Sequence, residues 1–357
     1  MQLSPFSNPF LRTLPAYWIA PFAVCLVLFG CGDDGPDEPA VDVLEAGTIA
    51  AGADFSCAID PDGAIECWGA DGAQTEPPSG TFRQLDVYNR FGCAVEAESN
   101  NVRCWGSSTQ GATATPEGEF ERVATGNDTS CGLRPDGVIH CWGRPIDSAP
   151  DEDNDNNDNI PQDPDNGDDN GDDETVDDFE EFTSENSAFV DVATGHRYVC
   201  GLTEGRDIEC WGYGAEDPDN GRAGDFGQAN PPDERYLALN IGRRTTCTIH
   251  FDGHAHCFGH DSNQQAQPSD ELFRQVSVAE VHGCGIVTDD SVECWGTYAE
   301  DPQEQEALDR GQANPPSGTF VEVTTGDRHT CGILDSGDIE CWGADDDGQA
   351  SPPSFGD

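Results

Sequence analysis

The sequence predicts an all-β fold in which seven small antiparallel sheets close into a ring. Three observations predict it. First, the phrase Cys57-Ala58-Ile59-Asp60-Pro61-Asp62-Gly63-Ala64-Ile65-Glu66-Cys67-Trp68-Gly69 reads as two short strands joined by a tight turn, and the chain repeats it from Cys93 to Gly106, Cys131 to Gly143, Cys200 to Gly212, Cys247 to Gly259, Cys284 to Gly296 and Cys331 to Gly343. Second, most copies follow a short apolar strand and precede a polar loop ending in Pro-Pro, a poor strand former that closes one unit before the next. Third, each unit is too small to bury its own apolar face, so the copies must stack on one another.

The chain opens with a targeting segment. Tyr17 to Gly30 is mostly apolar, follows one positive residue (Arg12) and ends Leu28-Phe29-Gly30-Cys31. Residues 1–30 resemble a bacterial lipoprotein signal peptide, with Cys31 as the lipid acceptor; an ordinary secretory signal cut nearby is the alternative. The run is short and broken by Pro21, which disfavours a membrane span. Residues 31–42 form an acidic tether, and the repeats occupy 43–357.

The apolar strands read Phe82-Arg83-Gln84-Leu85, Phe120-Glu121-Arg122-Val123, Phe189-Val190-Asp191-Val192, Tyr236-Leu237-Ala238-Leu239, Phe273-Arg274-Gln275-Val276 and Phe320-Val321-Glu322-Val323. The first unit is weaker, with Ala46 and Ile49 at the outer positions, and how the ring closes is open.

In the hairpin, Asp60-Pro61-Asp62-Gly63 suits a type I turn followed by a left-handed glycine. Counting outward from that turn, Ile59 faces Ile65, Ala58 faces Glu66 and Cys57 faces Cys67. The facing pairs predict disulfides Cys57–Cys67, Cys93–Cys104, Cys131–Cys141, Cys200–Cys210, Cys247–Cys257, Cys284–Cys294 and Cys331–Cys341, the second hairpin taking one extra loop residue. Of 16 cysteines only Cys25 and Cys31 stand outside the repeats, and an even count at regular spacing in an exported chain reads as disulfides. Partners ten or eleven positions apart are too widely spaced for a hairpin zinc site, and no C-x-x-C occurs. A small residue follows every first cysteine and Trp (once Phe258) every second, an alternation expected to let adjacent sheets pack closely.

The phrase Cys-Ala-Ile-x-x-Asp-Gly-x-Ile-x-Cys-Trp-Gly, followed by Gly-Gln, resembles the repeat of the regulator of chromosome condensation family, which implies a seven-bladed β-propeller over residues 43–357. Bacterial members, including a secreted β-lactamase inhibitor, have blades of similar size. Here cysteine pairs replace apolar residues of the eukaryotic repeat, as fits an oxidising compartment.

The formal net charge is −54, and all 16 basic residues are arginine, so binding to a phosphate backbone is disfavoured. The densest acidic run lies in an insertion at about 144–187. Its Asp/Asn/Gly pattern, with Asp163, Asp165, Asp168 and Asp172 as candidate calcium ligands, is loosely similar to thrombospondin type 3 repeats, but it lacks EF-hand spacing; a disordered loop is the bland reading. Shorter insertions, Tyr213 to Phe226 and Thr297 to Arg310, fall at the same point of the repeat, so all three should emerge on one face.

The fifth copy carries His250, His254 and His256, which the register places on one hairpin side, where they would suit zinc, nickel or copper; a histidine-rich polar tip is the alternative. Glu66, Glu209, Glu293 and Glu340 share one repeated position, which argues for a structural role rather than one active site. No G-x-S-x-G or H-E-x-x-H motif occurs. These readings describe a non-catalytic, exported scaffold, lipid-anchored to the bacterial envelope, that binds a protein or other macromolecule through acidic loops. It needs no cofactor, apart from the calcium alternative, and touches the membrane only through its lipid. The alternatives are a hydrolase or lyase with a central-channel site and, by resemblance alone, guanine-nucleotide exchange or β-lactamase inhibition. Export argues against exchange, because small GTPases are intracellular.

Overall fold

The computed structural model describes residues 41–44, 47–108, 110–144, 182–184, 188–214, 226–299, 305 and 308–354. Cys31, the four candidate calcium aspartates and most of the three insertions lie outside them. Among the described residues the chain forms seven antiparallel sheets, each a blade with an inner, a middle and an outer strand. Blade 1 comprises Ile49–Ala51, Phe55–Ile59 and Ile65–Gly69; blade 2 Phe82–Tyr88, Phe91–Glu96 and Val102–Gly106; blade 3 Arg122–Thr125, Thr129–Leu133 and Ile139–Gly143. Blade 4 comprises Phe189–Thr194, Tyr198–Thr203 and Ile208–Gly212; blade 5 Tyr236–Ile241, Thr245–His250 and Ala255–Gly259. Blade 6 comprises Phe273–Val278, His282–Val287 and Val292–Gly296, and blade 7 Phe320–Thr325, His329–Leu334 and Ile339–Gly343. Blade 3 gains a short outermost strand, Phe182–Thr183.

The hairpin register is the one the turn chemistry predicts. Cys57 pairs with Cys67, Ala58 with Glu66 and Ile59 with Ile65. Gly63 takes φ of 87° to close the loop, and its N–H donates to the Asp60 carbonyl. Blade 4 closes the same turn with Arg206 at φ 75° and blade 6 with Asp290 at φ 66°, positions where glycine would be less strained. All seven predicted disulfides form, one per blade, with Cα atoms 4.0–4.1 Å apart, the close approach of a non-hydrogen-bonded pair. Such a set suits an oxidising environment outside the cytosol.

The small residue after the first cysteine makes room both between blades, where a Cβ on Gly201 would come within 2.5 Å of Ile139 of blade 3, and within its own blade. A Cβ on Gly132 would come within 2.4 Å of the Phe120 ring, and on Gly332 within 2.7 Å of Phe320, the aromatic that opens the same blade. The tryptophan ring also leans on that phenylalanine: Phe189 and Trp211 lie 5.5 Å apart, Phe273 and Trp295 5.7 Å. The tryptophans also join blades, Trp105 packing among blade 1 residues and Trp342 against blade 6, and the indole N–H reaches the same way. Trp105 donates to Gln74 O, Trp142 to Ala112 O, Trp295 to Gln265 O and Trp342 to Gln312 O, each on the loop leaving the preceding blade.

The same bonds close the ring. Trp68 of blade 1 donates to Gln349 O on the loop leaving blade 7, at 2.9 Å. Tyr198 Oη meets Thr246 Oγ1 between blades 4 and 5, His282 Nε2 meets Thr330 Oγ1 between blades 6 and 7, and His329 Nε2 meets Ser56 Oγ between blades 7 and 1. On the inner strands, Val123 N–H donates to Gln84 and Val323 N–H to Gln275. At the closure the corresponding residue is Glu322, whose buried carboxylate accepts from the N–H groups of Gly47 and Thr48 and from the Thr48 hydroxyl. Blade 1 thus needs no strong opening strand of its own, because blade 7 holds it.

Candidate functional site

The inner strands of all seven blades line a central channel of about 310 Å³. Most of its polar side chains already serve the frame. Besides Gln84, Gln275 and Glu322, Asp86 accepts from Thr125 N–H and Oγ1, Asn240 from Val278 N–H, and Arg122 pairs with Asp191 at 3.3 Å. Residues 41–44 border one end: Leu44 N–H donates to Arg274 O, Arg274 Nε to Asp42 O, and Val41 packs among blade 5 residues. The structure therefore seats residues 41 and 42, read as tether, against the blades. The hairpin turns share this end, which we call the lower face.

The upper face carries the turns between inner and middle strands. The residue after each outer strand donates back to that turn: Ala70 N–H to Asp54 O, Ser107 to Arg90 O, Arg144 to Asp128 O, Tyr213 to Arg197 O, His260 to Arg244 O, Thr297 to Val281 O and Ala344 to Arg328 O. The insertions after blades 3, 4 and 6 consequently leave from this face, in keeping with their shared repeat position.

At the upper mouth, one equivalent position per blade supplies Asn89, Asn127, His196, Arg243, Glu280 and Asp327, with Ala53 in blade 1. Arg243 forms an ion pair with Glu280, and Asn89 donates to Asn127 at 2.8 Å. Asp327 and Glu280 share a small recess of about 40 Å³ with Tyr88. Burial, reinforced by the Glu280 charge, pushes the Asp327 carboxyl up to about 7. Burial, together with the charges of Arg243, Arg197, Arg244 and Arg144, pushes His196 down to about 3, so it is neutral at pH 7. Six of the 16 arginines (Arg90, Arg144, Arg197, Arg243, Arg244 and Arg328) sit at this mouth or beside it, although the chain has 70 acidic residues. Two aromatics stay exposed where insertions meet the frame: Phe226 at 38 %, stacked edge-on against His260, and Tyr298 at 44 %.

Sequence reasoning did not single out this mouth. The signal was present: the position two before the phenylalanine or its equivalent in the middle strand varies from copy to copy in charge, while the residue before it is glycine in five of the seven copies. The recurring glutamates behave as a repeat-level feature, all on outer strands far from the channel, with Glu66 exposed.

The histidine hairpin is formed differently from the expectation. Ligand atoms of His250, Asp252 and His256 lie within 4.8 Å of one another, whereas His254 stands outside the set. The register does place His250 opposite His254, but His254 makes a bridge to Leu272 of the next blade and its Nδ1 is buried. Asp252, in the turn itself, takes its place.

The model of the Regulator of chromosome condensation (RCC1) repeat family matches residues 320–349, which span blade 7 from its opening strand to the Gly-Gln loop. Among solved structures, the entire ectodomain of the receptor kinase CR4 from Physcomitrella patens is similar at 20 % identity and a TM-score of 0.60, covering 83 % of this chain and 73 % of that one. The CRINKLY WD40 ectodomain of the receptor kinase ACR4 from Arabidopsis thaliana is similar at 21 % identity and a TM-score of 0.59, covering 83 % and 95 %. Human WBSCR16 is similar at 12 % identity and a TM-score of 0.56, covering 84 % and 87 %. At these identities the likeness is one of fold.

Proposed function

We propose that this RCC-type seven-bladed β-propeller is an exported, non-catalytic scaffold, lipid-anchored at Cys31, that binds a protein partner on its upper face. The observation that carries the reading is the grouping there of what the repeat does not need. Arg244 lies over the ring of the exposed Phe226, 6.0 Å from its centroid, Arg197 and Arg243 act with it on His196, and Tyr298 stands on the same face, where the three acidic insertions leave the frame. Arginine and large aromatics are the side chains that most often anchor protein interfaces. The disulfides and the bonded blades make the platform rigid, which lowers the ordering cost of binding. Residues 41–44 sit at the lower face, away from this grouping. Two of the similar structures are receptor ectodomains, a setting compatible with binding outside the cell.

Photo-cross-linking on intact cells tests this. A cross-linker at position 226 or 298 should give a discrete protein adduct, and one at Asp62 or Asp136 on the lower face should not. Equal adducts from both faces, or none from the upper one, would exclude the reading. The second reading is a hydrolase or lyase at the upper mouth, favoured by Asp327: a carboxyl raised to about 7 can hold a proton near neutrality and donate it. Turnover of envelope polysaccharide that disappears in Asp327→Asn would support that reading over the first.

A further inference from the structure

We infer that the lower tip of blade 5 is a binding site for a divalent transition metal, held by the imidazoles of His250 and His256 and a carboxylate oxygen of Asp252, with Glu234 as the supporting carboxylate beside both rings. Four side chains converge there from three short segments. His256 Nδ1 lies 3.3 Å from Glu234 Oε2, and His250 Nε2 lies 3.9 Å from the same oxygen. On its other nitrogen, His250 Nδ1 lies 2.9 Å from Asp252 Oδ1. The two imidazole rings are parallel within 6°, with centroids 5.1 Å apart. Asp252 thus meets His250 at Nδ1, while Glu234 stands at its Nε2 and at His256 Nδ1, where it supports the two imidazoles from the nitrogens opposite.

The frame holds this arrangement before any ligand arrives. The Cys247–Cys257 disulfide staples the hairpin next to His256, and Thr248, paired with His256, donates its hydroxyl to the His256 carbonyl at 2.9 Å. The Tyr236 ring packs edge-on against His250. The site is accessible, with His256 41 % and Asp252 54 % exposed at the side chain, so an ion can enter without unfolding the blade. A hairpin tip built only for solubility has no need of two stacked imidazoles. At the positions of His250 and His256 the other blades place Asp60 and Glu66, Glu96 and Arg103, Arg134 and His140, Thr203 and Glu209, Val287 and Glu293, or Leu334 and Glu340; blade 5 alone has histidine at both. Two imidazole nitrogens with a carboxylate oxygen suit zinc first, and nickel or copper next, whereas calcium prefers an all-oxygen shell.

The test is equilibrium dialysis of the full-length, disulfide-intact protein against zinc, with excess calcium and magnesium present to occupy the acidic segments. Bound metal is read by elemental analysis, and folding of every variant by its thermal transition. Wild-type protein should hold one zinc per chain and melt at a higher temperature when loaded. His256→Gln and Glu234→Gln should each weaken binding by about tenfold or more, as removal of a ligand or its supporting partner does. His250→Gln with His256→Gln should abolish stoichiometric binding, and His254→Gln should leave it unchanged. Absence of stoichiometric zinc on wild-type protein would overturn the inference. So would retention of zinc by the folded double variant, or loss of it in folded His254→Gln, which would return the ligand set to the three-histidine pattern.

Discussion

Replacing Glu322 by alanine should open the ring at its only chain-terminal seam. Oε1 accepts from Gly47 N–H at 2.6 Å and from Thr48 N–H at 3.0 Å, while Oε2 takes the Thr48 hydroxyl. Truncation leaves the two well-bonded main-chain donors, Gly47 and Thr48, without a partner, at about 1–3 kcal/mol each, so the gross cost is roughly 2–6 kcal/mol, and it removes the longer 3.4 Å bond from Ile49 N–H as well. Part of that is returned, because burial pushes the Glu322 carboxyl above its ordinary range even against these donors; the ionised group is costly where it sits. Glu322→Gln separates the two effects. An amide oxygen still accepts from Gly47 and Thr48, the amide N–H₂ can donate to a rotated Thr48 hydroxyl, and no charge is buried. Glutamine already does this work at Gln84 and Gln275, which accept from Val123 and Val323 at 2.8 and 2.7 Å. Denaturant unfolding of the oxidised protein should therefore show a loss of about 2–4 kcal/mol for Glu322→Ala, less than about 1 kcal/mol for Glu322→Gln, and a broader transition for the alanine variant as blades unzip from the seam. If Glu322→Ala matched wild type, or if glutamine cost as much as alanine, the carboxylate would not be what closes the ring.

Three further outcomes follow from the same frame. Removing one staple by Cys57→Ala with Cys67→Ala opens a loop of 10 residues and should cost about 2–3 kcal/mol in the same assay, unless the reduced chain keeps the hairpin. Burial pushes His329 down from 6.5 to about 4, so the unfolded chain takes up a proton that the folded one refuses, and stability falls as pH drops from about 6.5 toward 4. His329→Gln, which can still hydrogen-bond Ser56, should flatten that slope by up to about 1.4 kcal/mol per pH unit in this window; Asp327 and Asp86, raised to about 7 and 6, tilt the curve oppositely in both proteins and cancel from the difference. Finally, Trp68→Phe and Trp105→Phe each delete one indole N–H bond, at 2.9 and 2.8 Å, and should cost about 1 kcal/mol alike. A cost at Trp105 with none at Trp68 would mean that the seam is open in solution.

The blades themselves were legible because their determinants are local. A turn with Gly63 at φ 87° sets the register, and register alone pairs Cys57 with Cys67. Ring closure was not legible, since it depends on residues 273 to 293 positions apart meeting in space: Ile49 with Glu322, or Ser56 with Gln349. Even so, polar Gln84, Gln275 and Glu322 recur at one position of an otherwise apolar strand, which is a readable sign of blade-to-blade bonding. The histidine site was half legible. Strand alternation placed His250 and His256 together correctly, but it cannot place a turn residue, so Asp252 was missed. Glu234, which reaches the same tip from the segment before the inner strand, needed the third dimension.

Where function sits follows from what the repeat already uses. Cysteines, the tryptophan N–H, the Gly-Gln carbonyl and the inner-strand polar side chains all bond within or between blades, seam included. A side chain so engaged cannot be redirected to a ligand without loosening the ring. The side chains that the frame does not use are those at positions where the copies disagree. On the upper face these include Arg244, Phe226 and Tyr298; on the lower face they are His250, Asp252 and His256. The two sets lie at opposite ends of the blades, so a metal at the lower tip and a partner on the upper face would occupy separate surfaces of one rigid body. Loss of zinc in His250→Gln with His256→Gln should then leave the cross-links from position 226 intact, and any coupling between them would have to travel through blade 5, from the hairpin turn at Gly253 to the turn at Arg243 and Arg244.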